Sequence, residues 1–138
     1  MEVAAPGWRG VRTPVLVAGV LLAASIALHL RDPHRSGSYG FCPWLALTGT
    51  YCPGCGGLRA VNDLTHFNVL AAASSNLLLV ASLPFVALWW LRSFVDGWRG
   101  VRRHLSDRSA YVVLVVVLAS TMVFWVVRNL PFASWLTP

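Results

Sequence analysis

The sequence has few charged residues and no lysine. Only 12% of its 138 residues are charged, about half of the roughly 25% found in soluble domains. This shortage excludes a water-soluble globule of ordinary composition. The five acidic residues leave few candidates for general acid–base catalysis. No HExxH pattern, glycine-rich phosphate loop or pair of neighbouring carboxylates is present, so the sequence does not favour an enzyme.

All eleven basic residues are arginine, and the formal net charge is +6. These arginines lie at the ends of apolar blocks, where they would meet anionic lipid headgroups. The distribution favours a lipid bilayer as the partner and argues against nucleic acid.

Three long apolar blocks predict an all-α integral membrane protein that forms a single domain over residues 1–138. The blocks span residues 14–30, 69–91 and 110–127. A helix needs about 20 residues, and at least about 17, to cross the hydrocarbon core. The first block is longer than a usual signal-peptide core, so it is interpreted as a retained helix. Pro84 should kink the second helix, because it removes one backbone hydrogen bond.

The arginine distribution also predicts the orientation of the chain. Seven arginines lie in the N-terminal tail or between the second and third blocks: Arg9, Arg12, Arg92, Arg99, Arg102, Arg103 and Arg108. Four lie on the other side: Arg31, Arg35, Arg59 and Arg128. Because arginine accumulates on the cytoplasmic side of a cell membrane, the N-terminus is predicted to be cytoplasmic. The segment 31–68 then faces outside.

The segment 41–68, FCPWLALTGTYCPGCGGLRAVNDLTHFN, contains all three cysteines of the chain, Cys42, Cys52 and Cys55. Its stretch 44–47 is too apolar for an ordinary exposed loop, which predicts a short re-entrant or interfacial element. A short amphipathic helix should follow over residues 58–67. Its polar face would carry four residues at helical spacing: Arg59, Asn62, Asp63 and His66.

The spacing of this segment resembles a known family. The shared residues are Cys42-Pro43, Leu47-Thr48-Gly49, Cys52-Pro53-Gly54-Cys55-Gly56, Arg59-Ala60 and His66. They are similar to the pattern CPxxxLTGxxCPGCGxTRA of the domain-of-unknown-function 2752 family, small bacterial membrane proteins. Asn76 matches a family asparagine, but Leu77 stands where proline is usual and Leu58 where a polar residue is usual. The resemblance covers residues 42–83 and implies no settled biochemical function.

Three interpretations of the cysteines remain open. One disulfide could hold the loop and leave one free thiol. Alternatively, Cys42, Cys52 and Cys55 could bind zinc or iron with His66 as the fourth ligand, since a tetrahedral site needs four. Third, a Cys-x-x-Cys pair at the start of a helix is typical of thiol–disulfide chemistry. A metal cofactor and no cofactor have equal support.

The favoured function is a non-enzymatic structural or interaction module whose cysteine motif packs at the outer membrane interface. Its partner would be another membrane protein or a second copy of the chain. The alternative is a metal or thiol–disulfide site formed by the three cysteines and His66. Arg59, Asp63 and Asn76 are predicted to support the site as polar neighbours. His29 and His104 are interpreted as interface residues. His34 lies near the outer boundary and has no second metal ligand close to it in sequence.

Overall fold

A computed structural model describes residues 7–35, 42–101 and 106–137 of the chain. Phe41, the predicted start of the cysteine segment, lies outside these ranges, as do Arg102, Arg103 and His104. The described residues form helices and no β-strand. The elements are α1 (Trp8–Leu30), α2 (Pro43–Thr48), α3 (Gly57–Thr65), α4 (Val69–Trp98), α5 (Asp107–Arg128) and a C-terminal 3₁₀ helix (Pro131–Leu136).

Three of these helices are long and apolar enough to cross a membrane. They are α1, α4 and α5, with 23, 30 and 22 residues and hydropathies of 2.0, 1.9 and 2.5. The all-α membrane fold is therefore confirmed. All three helices are longer than predicted: α1 begins at Trp8, α4 continues to Trp98, and α5 extends over Asp107–Arg128. Hydropathy marks the apolar part of a helix, whereas the backbone continues through the tryptophans and arginines at its ends.

The two short helices confirm that the cysteine segment is not an ordinary loop. Pro43 occupies the first turn of α2, where its missing N–H costs nothing. Gly49 then ends α2 with a φ of 70°, a conformation that favours glycine. Gly56 adopts a φ of 78° immediately before α3. The chain thus folds back twice between Cys42 and the start of α4.

Helices α1 and α4 pack side by side in opposite directions. The Gly7 N–H donates to the Trp98 carbonyl at 3.0 Å, and the Trp90 indole N–H donates to the Pro14 carbonyl at 3.0 Å. At this crossing a Cβ added to Gly97 would lie 2.6 Å from the Gly10 carbonyl oxygen. Glycine therefore permits the close backbone approach there.

The remaining elements pack around one end of this pair. Helix α3 lies against α4 and α1, while α5 contacts α4 and the 3₁₀ helix through its C-terminal part. A small core forms at that end, from Phe124, Ala133 and Leu136 with Leu78 and Val127. Most other apolar side chains of the long helices face outward, as the bilayer requires.

Candidate functional site

The three cysteine sulfurs lie together. Cys42 directly precedes α2, and Cys52 and Cys55 lie in the turn between α2 and α3. The Sγ atoms are 2.9 Å apart for Cys52 and Cys55, 3.2 Å for Cys42 and Cys55, and 3.7 Å for Cys42 and Cys52. All three are free thiols, because a disulfide would bring two sulfurs to about 2.05 Å. Each can offer one sulfur to a common centre.

The backbone of the Cys-Pro-Gly-Cys turn donates one hydrogen bond to these sulfurs and closes on itself with another. The Cys52 N–H donates to the Cys55 sulfur at 3.3 Å, and the Cys55 N–H donates to the Cys52 carbonyl at 3.1 Å. A tight turn of this kind brings two thiols and a backbone donor to one point. The arrangement can hold a soft metal ion or carry out thiol exchange.

The thiols of Cys42 and Cys55 differ in their acidity. The backbone N–H of Leu45 at the start of α2 lowers the pKa of Cys42, and contact with the Cys55 thiol lowers it further. Burial raises the pKa of Cys55 to about 12, and its contacts with the other two thiols add to this effect. Cys42 therefore becomes a thiolate at the lower pH of the two, whereas Cys55 keeps its proton far into the alkaline range.

Asn76 holds the turn from the side of α4. Its backbone leaves the helical region with φ −159° and ψ 91°, so α4 is interrupted there. Pro84 also lies inside α4, and the kink that the sequence predicts at this residue stays a prediction. The Asn76 amide nitrogen donates to the carbonyls of Pro53 and Cys55, at 2.9 and 3.2 Å. Its side-chain oxygen accepts from the Leu79 N–H at 3.0 Å, which caps the continuing helix. The predicted supporting residue thus binds the backbone of the motif.

Arg128 lies beneath the same turn, at the end of α5. Its side chain is 0% exposed, which is rare for arginine. One guanidinium nitrogen donates to the carbonyls of Cys52 and Cys55, at 3.0 and 3.1 Å. The other donates to the Leu136 carbonyl at 3.0 Å. The 3₁₀ helix, the end of α5 and the cysteine turn are therefore joined by one cation.

No carboxylate in the described part of the chain forms an ion pair with Arg128. Its guanidinium lies instead over two aromatic rings, 4.9 Å from the centre of Phe124 and 5.7 Å from that of Tyr51. Aromatic faces attract a cation but carry no net charge. The buried positive charge beneath the three thiols is thus left without an anionic partner among the described residues.

Asn129, the residue after Arg128, also binds the backbone of the cysteine segment. Its side-chain oxygen accepts from the Tyr51 N–H at 2.8 Å, and its amide nitrogen donates to the Tyr51 carbonyl at 2.9 Å. Arg128 and Asn129 were not predicted from the sequence as site residues. One signal was available, since Arg128 ends a long block without any charge and is followed by a second polar residue.

The predicted residues on α3 lie away from the sulfurs. His66 follows the opposite end of α3 from Cys55, stacked on the His29 ring with centroids 4.3 Å apart. Asp63 accepts from the Ser75 hydroxyl at 3.0 Å, and Arg59 donates to the Pro33 carbonyl at 3.4 Å. The structure therefore brings the three cysteines together with Asn76, and groups His66, Asp63 and Arg59 around the end of α1 and the segment that follows it.

Residues 42–90 match the model of the family described as "Protein of unknown function (DUF2752)". This match confirms the resemblance inferred from the cysteine spacing, and it covers the thiol cluster, α3 and α4 as far as Trp90. No curated protein matches the chain. No solved structure matches it either.

Proposed function

We propose that the chain is a non-enzymatic multi-pass membrane protein that binds one divalent metal ion, zinc or iron, through Cys42, Cys52 and Cys55. The observation that carries this proposal is the mutual separation of the three sulfurs, 2.9 to 3.7 Å. Two sulfurs bonded at about 2.3 Å to one tetrahedral zinc ion are about 3.8 Å apart. Small outward rotations of the thiols would therefore create the site.

The buried charge of Arg128 supports a divalent ion. Three thiolates contribute −3, a divalent ion +2 and Arg128 +1, which sum to zero. A charge is costly to bury without a partner, and in the described part of the chain Arg128 has no carboxylate. A metal–thiolate centre would carry a net charge of −1 and would balance it.

Three protein ligands leave one coordination position for water or for a group from outside the chain. The sequence-based proposal gave this position to His66. In the structure His66 Nδ1 lies 2.9 Å from the Asn62 carbonyl and its ring stacks on His29. We therefore favour a three-cysteine site.

We also infer that this site lies on the outer side of the cell membrane and the N-terminus on the cytoplasmic side. The support is the excess of arginine in the N-terminal tail and between α4 and α5. A membrane-impermeant maleimide applied to intact cells should label the metal-free cysteines. Labelling that occurs only after the membrane is permeabilised would indicate the opposite orientation.

The test of the metal site is elemental analysis of the protein purified in neutral detergent without chelators. We expect about one zinc or iron per chain, lost in Cys42→Ser, Cys52→Ser and Cys55→Ser and retained in His66→Ala. X-ray absorption should show sulfur neighbours at about 2.3 Å. Ser74→Ala is the control, because the Ser74 hydroxyl bonds only within its own helix, to Ala71.

A structural or interaction module is the second candidate, and one observation favours it. Arg128, Asn76 and Asn129 bind the backbone of the motif and not its sulfurs. These bonds would hold the motif as a packing element for another membrane protein or a second copy of the chain. Metal-free protein with three free thiols would support this candidate, while one free thiol would indicate a disulfide. Either result would overturn the metal site.

A further inference from the structure

A second group of polar residues lines a cavity at the opposite end of α3 from the thiols. The cavity measures about 490 Å³ and lies between the end of α1, the segment after it, α3 and the first residue before α4. Its wall contains three histidines: His29 and His34, which are close in the sequence, and His66, which is distant from both. None of them belongs to the thiol cluster.

The two carboxylates of this cavity are engaged by His34. The Asp32 carboxylate accepts from the His34 backbone N–H at 2.8 Å and lies 2.9 Å from the His34 Nδ1. His34 Nε2 lies 3.4 Å from the Asp63 carboxylate. The backbone N–H bond lowers the pKa of Asp32, followed by the imidazole contact, so this carboxyl stays ionised. Asp32 and Asp63 balance the charges of Arg31 and Arg35, which also line the cavity.

The other two histidines are held in one tautomer. The His66 Nδ1 lies 2.9 Å from the Asn62 carbonyl, which can only accept, so this nitrogen carries the proton. The Thr65 hydroxyl donates to the same carbonyl at 2.6 Å. It must therefore accept from the His29 Nδ1, 3.1 Å away. Both Nε2 atoms are left with a lone pair and with no hydrogen bond within the described residues.

Proton uptake converts each Nε2 into a donor and each ring into a cation. The two rings are stacked with centroids 4.3 Å apart, so two imidazolium ions would repel each other strongly. The remaining titratable groups at the cavity, Arg31, Arg35, Asp32, His34 and Asp63, are already close to charge balance. An anion in the cavity would remove the repulsion. Binding of an anion and protonation of the histidines therefore favour each other.

We propose that this cavity binds a phosphate group, with His29, His66 and Arg35 as donors, and that binding takes up protons. Phosphate is the abundant anion at the depth of the lipid headgroups. The cavity lies at that depth, since Leu30, the last residue of α1, forms part of its wall and is 80% exposed. The phosphate could belong to a lipid headgroup or be free in solution.

The test measures binding of inorganic phosphate to the detergent-purified chain by calorimetry at about pH 5.5 and at about pH 8. The same protein in phosphatidylcholine nanodiscs, with and without phosphatidylglycerol, is analysed by native mass spectrometry for retained lipid. We expect binding at least about tenfold tighter at the lower pH. Arg35→Gln should weaken it about tenfold, the effect of one charge-assisted bond.

The matched control is Arg108→Gln, an exposed arginine at the start of α5 that should leave binding unchanged. His29→Gln with His66→Gln should remove the tightening of binding at the lower pH, and helicity measured by circular dichroism verifies that this variant folds. Saturable binding of inorganic phosphate supports the proposal with free phosphate as a source. Retention of phosphatidylglycerol alone, lost in Arg35→Gln, supports it with lipid as the source.

No binding of either probe at either pH would overturn the proposal, as would binding that none of these variants alters. Cys52→Ser should bind phosphate as the unsubstituted chain does. Failure of the metal site and failure of the phosphate site are therefore separate results.

Discussion

Arg128 offers the sharpest test of how the cysteine motif is held. In Arg128→Leu three hydrogen bonds to carbonyl groups disappear. The Cys52 carbonyl keeps its bond from the Cys55 N–H, and the Cys55 carbonyl keeps its bond from Asn76. Only the Leu136 carbonyl loses its donor altogether. The substitution thus leaves one carbonyl without a hydrogen bond and two carbonyls with one remaining bond each.

The expected cost follows from this difference. An orphaned buried carbonyl costs about 1 to 3 kcal/mol, and each of the other two lost bonds costs about 1 kcal/mol. Removing a buried cation recovers part of this sum, because its desolvation is no longer required. We expect a net loss of about 2 to 4 kcal/mol in the free energy of unfolding, or about thirtyfold to a thousandfold in the unfolded population. The stability of Arg128→Lys should fall between that of the unsubstituted chain and that of Arg128→Leu, since lysine keeps the charge but lacks the planar guanidinium group.

The assay is denaturant unfolding in detergent, followed by tryptophan fluorescence, together with the alkylation rate of Cys55. Arg108→Leu is the control, because Arg108 lies exposed at the other end of α5. Its effect should stay within about 0.5 kcal/mol. If Arg128→Leu unfolds at the same denaturant concentration as the unsubstituted chain and leaves Cys55 equally slow to react, Arg128 does not hold the motif.

Three further predictions concern the helix crossing, the interruption of α4 and the thiols. Gly97→Ala should destabilise the protein by about 1 to 3 kcal/mol in thermal unfolding, because its Cβ would lie 2.6 Å from the Gly10 carbonyl oxygen. Gly19→Ala should not destabilise the protein, because a Cβ at Gly19 would have nothing within 4 Å. An equal loss of stability in the two variants would contradict the close approach of α1 and α4. Asn76→Ala should lower the free energy of unfolding by about 1 to 3 kcal/mol and speed the alkylation of Cys55. Ser74→Ala is the control and should change neither quantity. An unchanged alkylation rate in Asn76→Ala would show that Asn76 does not hold the turn. In metal-free protein, iodoacetamide should modify Cys42 at a lower pH than Cys55, because the pKa of Cys42 is lowered and that of Cys55 is raised to about 12. Site-specific mass spectrometry measures the order, and modification of Cys55 before Cys42 would contradict the prediction.

The number and type of the spanning helices could be predicted from the sequence. A block of about 20 apolar residues has one low-energy structure in a bilayer, since a helix satisfies its backbone within the segment. One short helix of the cysteine segment was also predicted, since the helical spacing of Arg59, Asn62 and Asp63 indicated α3. The apolar stretch 44–47 predicted only a re-entrant or interfacial element, which the structure forms as α2. The interruption of α4 at Asn76 was not predicted, since asparagine is compatible with a helix and leaves it here only to bind Pro53 and Cys55.

The sequence by itself determined that three cysteines lie within one short segment next to apolar helices, because chain connectivity alone keeps them near each other. Only the tertiary structure decided which distant groups meet them. Arg128 reaches the Cys52 carbonyl across 76 positions, and His29 meets His66 through the packing of α1 on α3. Hydropathy and local backbone preferences do not predict such pairings between distant residues. They arise because a buried cation and unpaired carbonyl groups must find partners once the helices pack.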